Sequence, residues 1–242
     1  MDKNSSQGIG ILGYGEIGKA IAEFYNKPLI KDLNRDDGLV GVEILNVCIP
    51  WSEKFVEIVK KEIKEINPKL TIIHSTVAPG TIKKIGGIVV HSPVRGVHPN
   101  LFKGIKTFVK YIGADDKKSG EIAEKHLKSL GIKTKIFYPS ATTEIGKILD
   151  TTYYGICIAW HGEMKEICDK LGVNFDDAVT DFNQTYNEGY AKLGKKNVVR
   201  PVLYPPQNGK AKHCIVPNAT ILSKYYETPI FDLILKKYKD KL

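Results

Sequence analysis

No run of eighteen apolar residues occurs in the 242-residue chain, so nothing in it reads as a membrane span. The opening MDKNSSQ lacks the basic-then-apolar order of a secretory signal, and cytoplasmic residence is the expectation. The cysteines are few: Cys48, Cys157, Cys168 and Cys214, scattered without metal-ligand or disulfide-rich spacing. The six histidines have no metal-ligand spacing either, so no metal is expected. No internal repeat is present. The formal charge is +9, much of it from Lys-rich segments such as KKEIKEINPK (60–69) and KKYKDK (236–241). No nucleic-acid motif or aromatic–basic interleaving accompanies that charge, so nucleic acid is not an expected partner. An anionic small-molecule substrate accounts for the sign equally well.

What is present is an alternation of strand and helix patterns. Gly8–Leu12 reads as a buried strand, Glu16–Tyr25 as a helix, and Pro28–Leu33 as a second strand. Val42–Ile49 reads as a third strand, Lys54–Ile66 as an amphipathic helix, and Leu70–Ile73 as a fourth strand. Residues 34–41 are too few for a crossover helix, so that corner is expected to be abbreviated. Val89–Val90, Lys106–Ile112 and Thr134–Tyr138 read as further strands, with a helix over Lys117–Leu130. This order predicts a parallel sheet with helical crossovers.

Beyond residue 139 the rhythm changes. Apolar residues at 145, 148, 149, 153, 156, 160, 164, 167 and 171 describe one helix over Ala141–Leu171, roughly 45 Å long at about 1.5 Å per residue. Gly146, Gly155 and Gly162 suit close packing against another helix. A second helix is expected over Phe175–Leu193, a loop over Gly194–His213, and short helices over Ala219–Tyr226 and Ile230–Tyr238. The expected organisation is α/β: a Rossmann-type parallel-sheet domain over 1–139, then a helical substrate and dimerisation domain over 140–242 built on the long central helix.

The first turn, GYGEIG, stands between a strand and a helix, the setting a dinucleotide-binding loop requires. Gly13 suits a tight turn, Gly15 lets backbone approach a pyrophosphate, and Gly18 lets helix pack on strand. A glycine turn in an unrelated α/β protein, such as a methyltransferase, has the same pattern. Asp32, 19 residues beyond Gly13 at a strand end, can accept hydrogen bonds from an adenine-side ribose and would repel a 2′-phosphate. NAD is therefore the expected cofactor, with NADP the alternative because Arg35 is close by. The expected cofactor-binding residues are Gly13, Tyr14, Gly15, Glu16, Ile17, Gly18, Asp32, Pro50, Ser75 and Thr76.

Several segments together resemble one family. They are GYGEIG (13–18), NVCIPW (46–51), HSTVAPGT (74–81), HSPVRG (91–96), TEIGKIL (143–149) and KHCIVPN (212–218). Through them the chain resembles the nucleotide-sugar 6-dehydrogenases, typified by UDP-glucose and UDP-N-acetylmannosamine dehydrogenases, within the superfamily of 6-phosphogluconate and 3-hydroxyisobutyrate dehydrogenases. The resemblance implies oxidation of a sugar CH2OH by NAD through a cysteine thiohemiacetal and thioester. The matching cysteine is Cys214, and the matching lysine, which steadies developing negative charge, is Lys147. It also implies a homodimer in which the long helix crosses its counterpart.

The residues allow both roles without demanding them. Glu144, Lys147 and Thr151 share one helical face that could look into a cleft, although an ordinary Glu–Lys surface pair has the same spacing. His213 beside Cys214 could lower a thiol pKa, although a small residue packed in a loop fits as well. Departures are specific: Val94 stands where the family usually has glutamate, Thr151 where it has asparagine, Ala211-Lys212 where it has two glycines, and Asn218 where it has an acid. The chain also ends 28 residues past Cys214, short of the third domain typical of the family.

In HSPVRGVHPN, Arg95 could grip a carboxylate or phosphate and His98 could act as acid or base, or the segment is a rigid surface loop. Its HPNL end also resembles, loosely, the HPM segment of prephenate dehydrogenases. His74 is expected to be packed. The expected catalytic set is Lys147, Cys214, Arg95, His98 and Glu144. The activity they imply is NAD(P)-dependent hydride transfer to or from a small anionic or sugar-derived hydroxyl or carbonyl compound. A non-catalytic or regulatory nucleotide-binding protein on the same fold is the alternative.

Overall fold

The computed structural model describes residues 8–205 and 212–239. The chain divides into two compact units, residues 1–147 and 148–242.

The first unit begins with β1 (Ile9–Leu12), α1 (Glu16–Ala22), β2 (Leu29–Asp32), β3 (Arg35–Asp36), β4 (Ile44–Val47) and α2 (Phe55–Ile66). β5 (Leu70–Ile73), α3 (Thr81–Ile85), β6 (Val89–His91) and α4 (Leu101–Thr107) follow. β7 (Lys110–Gly113), α5 (Lys117–Ser129) and β8 (Thr134–Phe137) complete the sheet in the order β3-β2-β1-β4-β5-β6-β7-β8. Ile11, Leu45, Val47, Ile72, Ile73 and Val90 are all 0% exposed, because helices cover both faces of the central strands and every side chain there must be apolar or bonded. α2 buries Phe55, Val59 and Ile66 and stops at Asn67, whose φ of 55° is the left-handed conformation that ends helices, just before Pro68. Asp116 starts α5 by accepting the Ser119 N–H at 2.8 Å.

The sheet is mixed rather than wholly parallel. The short corner after β2 holds β3, which pairs with it antiparallel. β7 runs antiparallel to β6. The expected strand over Lys106–Ile112 is instead the end of α4 followed by β7. Local β-propensity loses there to packing: Phe102 on α4 meets Phe24 with ring centroids 4.7 Å apart. Gly104 comes so close to Gly96 that an added Cβ would lie 2.5 Å from the Gly96 Cα.

α6 (Ala141–Leu171) has the bounds its apolar rhythm predicts and ends at Gly172, with φ of 66°. In the second unit a π-helical segment (Asp176–Asp181) leads into α7 (Phe182–Lys192), so the expected helix over Phe175–Leu193 is not α-helical throughout. α8 (Lys212–Ser223) and α9 (Pro229–Lys239) close the chain, and the expected loop to His213 gives way to helix at Lys212. Ile158 and Ala159 of α6 form a core with Ile215, Ala219 and Ile234. Gly155 is required by this packing, since a Cβ there would lie 2.4 Å from Ile215 Cγ2.

Candidate functional site

The three glycines of the first turn divide by task. Gly13 has φ of 93°, and a Cβ on it would lie 2.8 Å from the Ile49 nitrogen. A Cβ on Gly18 would lie 2.0 Å from the Gly13 carbonyl oxygen. Both are therefore needed to seat α1 against the sheet. Gly15 has open space, with nothing within 4 Å of where its Cβ would be. That is the vacancy a phosphate needs to approach backbone N–H groups.

Asp32 belongs to the same turn in three dimensions. Its Oδ2 accepts the Tyr14 N–H at 2.8 Å and its Oδ1 accepts the Leu33 N–H at 2.7 Å. The carboxylate is exposed, so its remaining lone pairs face solvent. Arg35 is engaged elsewhere: Nη2 donates to Asp37 at 2.7 Å and Nε at 3.0 and 3.1 Å. That bonding raises the Arg35 pKa and lowers that of Asp37, where the Ile30 N–H adds to the effect. The Arg35 guanidinium also lies 5.7 Å from the Tyr14 ring centroid.

The neighbouring strand ends are fastened together. Ser75 Oγ donates to the Ile49 carbonyl at 2.6 Å, joining the segment after β5 to the one carrying Pro50. Ser75 is buried and Thr76 half-buried beside it. Glu144 faces this region with a buried carboxylate rather than an open one. It accepts the Gly80 N–H at 2.5 Å and the Ile82 N–H at 2.8 Å, pinning the APGT turn. Burial raises its pKa, and the two backbone N–H groups pull it partly back. Lys147, one turn further along α6, is half-buried, and its charge acts on His91 and Lys110.

The HSPVRGVHPN segment splits its two candidates. The Arg95 guanidinium lies 4.1 Å from the Tyr111 ring centroid and 5.6 Å from that of Phe108, and it donates to the Val109 carbonyl. It is thus stacked on β7 rather than extended. His98 reaches the glycine turn, with Nδ1 2.6 Å from Glu16 Oε1. Val94 is buried. Cys48 is a poor nucleophile, because burial pushes its thiol up to about 12. The backbone of Cys214 lies in α8, but its side chain is outside the described residues. Among the described residues no cluster of three or more metal-ligating side chains occurs, and no helix is long and apolar enough to cross a membrane.

Residue-by-residue motif reading missed a buried polar set: Asn46, His91, Ser92 and Lys110, beside the packed His74. Its signal was available in the sequence as polar residues interrupting apolar strands, Asn46 in VEILNVCI and Lys110 in TFVKYI.

No protein-family profile matches the chain. A UDP-N-acetyl-D-mannosamine dehydrogenase from Methanococcus vannielii is 36% identical over 153 residues, covering 60% of this chain and 33% of that protein. The chain thus spans about a third of the length of that relative. The solved UDP-D-ManNAc dehydrogenase of Pyrococcus horikoshii superposes with a TM-score of 0.80 at 19% identity, over 96% of this chain and 68% of that one. A Mycobacterium tuberculosis 3-hydroxyisobutyrate dehydrogenase gives a TM-score of 0.66 at 13% identity, over 96% and 92%. In sequence the chain resembles UDP-N-acetyl-D-mannosamine dehydrogenases, and in fold it resembles solved UDP-N-acetylmannosamine, UDP-glucose and 3-hydroxyisobutyrate dehydrogenases.

Proposed function

We propose that the chain is an NAD-dependent dehydrogenase or reductase acting on a small anionic or sugar-derived hydroxyl or carbonyl compound. The observation that carries this reading is the turn at Gly13–Gly18: two glycines with no room for a side chain, one open, and Asp32 bonded to Tyr14 beside them. Gly13, Tyr14, Gly15, Glu16, Ile17, Gly18 and Asp32 would hold the dinucleotide, with Pro50, Ser75 and Thr76 along the adjoining strand ends. The bound nicotinamide would supply the hydride acceptor or donor. Commitment of Arg35 to Asp37 favours NAD over NADP.

Lys147 would stabilise negative charge developing on the substrate oxygen. Cys214 would add its sulfur to an aldehyde carbon, its proton passing to the carbonyl oxygen, and so present the adduct for a second oxidation. Glu144 would act through the APGT turn it holds, and His98 through the glycine turn it touches. UDP-N-acetylmannosamine, the compound named for the curated relatives, is the first sugar-derived candidate. Cytoplasmic residence and a homodimer formed through α6 belong to the same reading.

A buried Val94, in place of the family's glutamate, favours a second reading: a nucleotide-binding protein without hydride transfer. The test is a fluorescence titration with NADH, with S-adenosylmethionine as a control, followed by NAD reduction assays on UDP-N-acetylmannosamine and small hydroxy acids. NADH binding with turnover supports the first reading, and binding without turnover supports the second. Retention of S-adenosylmethionine alone rejects both.

A further inference from the structure

One buried polar row crosses five neighbouring strands of the first unit. Asn46 on β4 donates from Nδ2 to the Gly10 carbonyl on β1 at 3.3 Å. Its Oδ1 lies 2.9 Å from Nε2 of His74, which follows β5. Nδ1 of His74 lies 3.2 Å from the carbonyl oxygen of Ser92, which follows β6. Lys110, at the start of β7, places Nζ 2.8 Å from that same oxygen and 3.4 Å from the Pro93 carbonyl. Asn46 and Ser92 are 0% exposed, His74 1% and Lys110 4%.

The donor and acceptor chemistry leaves the row one choice. Asn46 donates to Gly10, so its Oδ1 accepts; both His74 nitrogens therefore face oxygen acceptors, and a neutral ring can donate to only one of them, Asn46 or Ser92. Burial first, then the charge of Lys110, holds the His74 pKa well below its ordinary value, so the ring is neutral. Lys110 already donates to the Ser92 oxygen, which favours the ring proton on Nε2, toward Asn46. In that form the Nδ1 lone pair faces the Ser92 oxygen, and Lys110 is the side-chain donor that oxygen depends on.

Burying an ammonium against two neutral carbonyls is costly, and burial pulls the Lys110 pKa down to about 7. Arg95 from the loop after β6 and Lys147 from α6 push it the same way, while Cys48 after β4 opposes them. Tyr25, packed against the same core cluster as Ile72 and Ile112, bonds His126 of α5 at 2.8 Å, and His91 bonds Thr143. A leucine or methionine at 110 would avoid the desolvation cost but would leave the Ser92 and Pro93 carbonyls without this donor. Its two acceptors mark the point where the chain leaves the sheet to form the loop carrying Val94, Arg95 and His98.

We propose that Lys110 is a positioning residue: its Nζ holds the Ser92 and Pro93 carbonyls, keeps His74 in the Nε2–H form, and so sets how this loop leaves the sheet toward the substrate. The last step rests on the dehydrogenase reading, and the first two do not.

Imidazole nitrogen NMR on the full chain tests it, using wild type, Lys110→Met and Lys110→Arg, with the His74 signal identified by its loss in His74→Gln. Wild-type His74 is expected neutral and protonated on Nε2. In Lys110→Met the ring turns its donor capacity to Ser92, and Nδ1 becomes protonated. Amide exchange at residues 94–98 rises about tenfold, the order expected for loss of a hydrogen bond from a charged donor, while α2 is unaffected. Lys110→Arg restores the wild-type ring form and loop exchange. An unchanged His74 spectrum with unchanged loop exchange in Lys110→Met overturns the proposal. Should that variant fail to fold, Lys110→Arg decides, because a switched His74 tautomer there overturns it as well. NADH titration of wild type alongside separates the two readings: absence of binding removes the cofactor assignment and leaves the ring and exchange results standing.

Discussion

Asp32 and Tyr14 are bonded across the first turn, the Tyr14 N–H donating to Asp32 Oδ2 at 2.8 Å. One carboxylate thus shapes the glycine loop and keeps free lone pairs beside it. Replacement by alanine removes both contributions. Asp32→Ala is expected to weaken NADH binding by about ten- to a hundredfold, the equivalent of one hydrogen bond to a charged group. Asp32→Asn, which removes the charge, is expected to narrow the preference for NADH over NADPH. Fluorescence titrations with both dinucleotides check this, and an unchanged ratio would count against the ribose role.

Gly15 and Gly18 separate folding from binding. An alanine methyl at 18 would lie 2.0 Å from the Gly13 oxygen, so Gly18→Ala is expected to cost about 1–3 kcal/mol in urea unfolding. Gly15→Ala meets nothing in the folded chain and should leave the urea midpoint near that of wild type. It should nonetheless abolish measurable NADH binding, because the methyl fills the space a phosphate would take. Full NADH affinity in Gly15→Ala would show that the open face is not the phosphate site.

The local elements of the first unit were legible because their signals are local. Apolar strand runs such as Leu70–Ile73 and the amphipathic spacing of α2 each act within a few residues, and so do the nine apolar positions of α6, most of them beyond the first unit. The misread run at 106–112 illustrates the limit. Its β-branched and aromatic content suits a strand, but Phe102 against Phe24 and Gly104 against Gly96 draw the preceding segment into helix, and neither contact is visible from sequence neighbours. The same holds for Glu144. Helical spacing put it on a face with Lys147, while its carboxylate bonds Gly80 and Ile82, more than sixty positions earlier. For Arg95 the sequence leaves an anion grip and a rigid surface loop both open, and the aromatic surface of Tyr111 and Phe108 that it covers is not visible from its sequence neighbours.

Glu144 should therefore behave as a structural anchor with a distinct pH signature. Glu144→Ala leaves two backbone N–H groups without their acceptor and is expected to cost about 1–3 kcal/mol for each that stays buried. Because the folded-state pKa is raised, the native state holds a proton that the unfolded chain has already released. The contribution of Glu144 is thus greatest below the ordinary value of 4.5 and declines as pH rises through the raised value. The stability difference between wild type and Glu144→Gln should shrink over that interval and then level off, as followed by urea unfolding at successive pH values. A difference that grew with pH would contradict the burial argument.

The outer face of α6 supplies a prediction about assembly. Leu149, Tyr153, Trp160, Ile167 and Leu171 are all about half exposed or more, and their spacings of four, seven, seven and four residues keep them on one side of the helix. A continuous apolar stripe of this kind is costly to leave in water and suits a second copy of the same helix. Light scattering should give twice the chain mass at micromolar concentration. Trp160→Glu places a charge at the middle of the stripe and is expected to shift the mass to that of one chain while leaving urea unfolding of the first unit unchanged. A wild-type mass of one chain, or a Trp160→Glu protein that stays at twice that mass, would remove α6 as the dimer face.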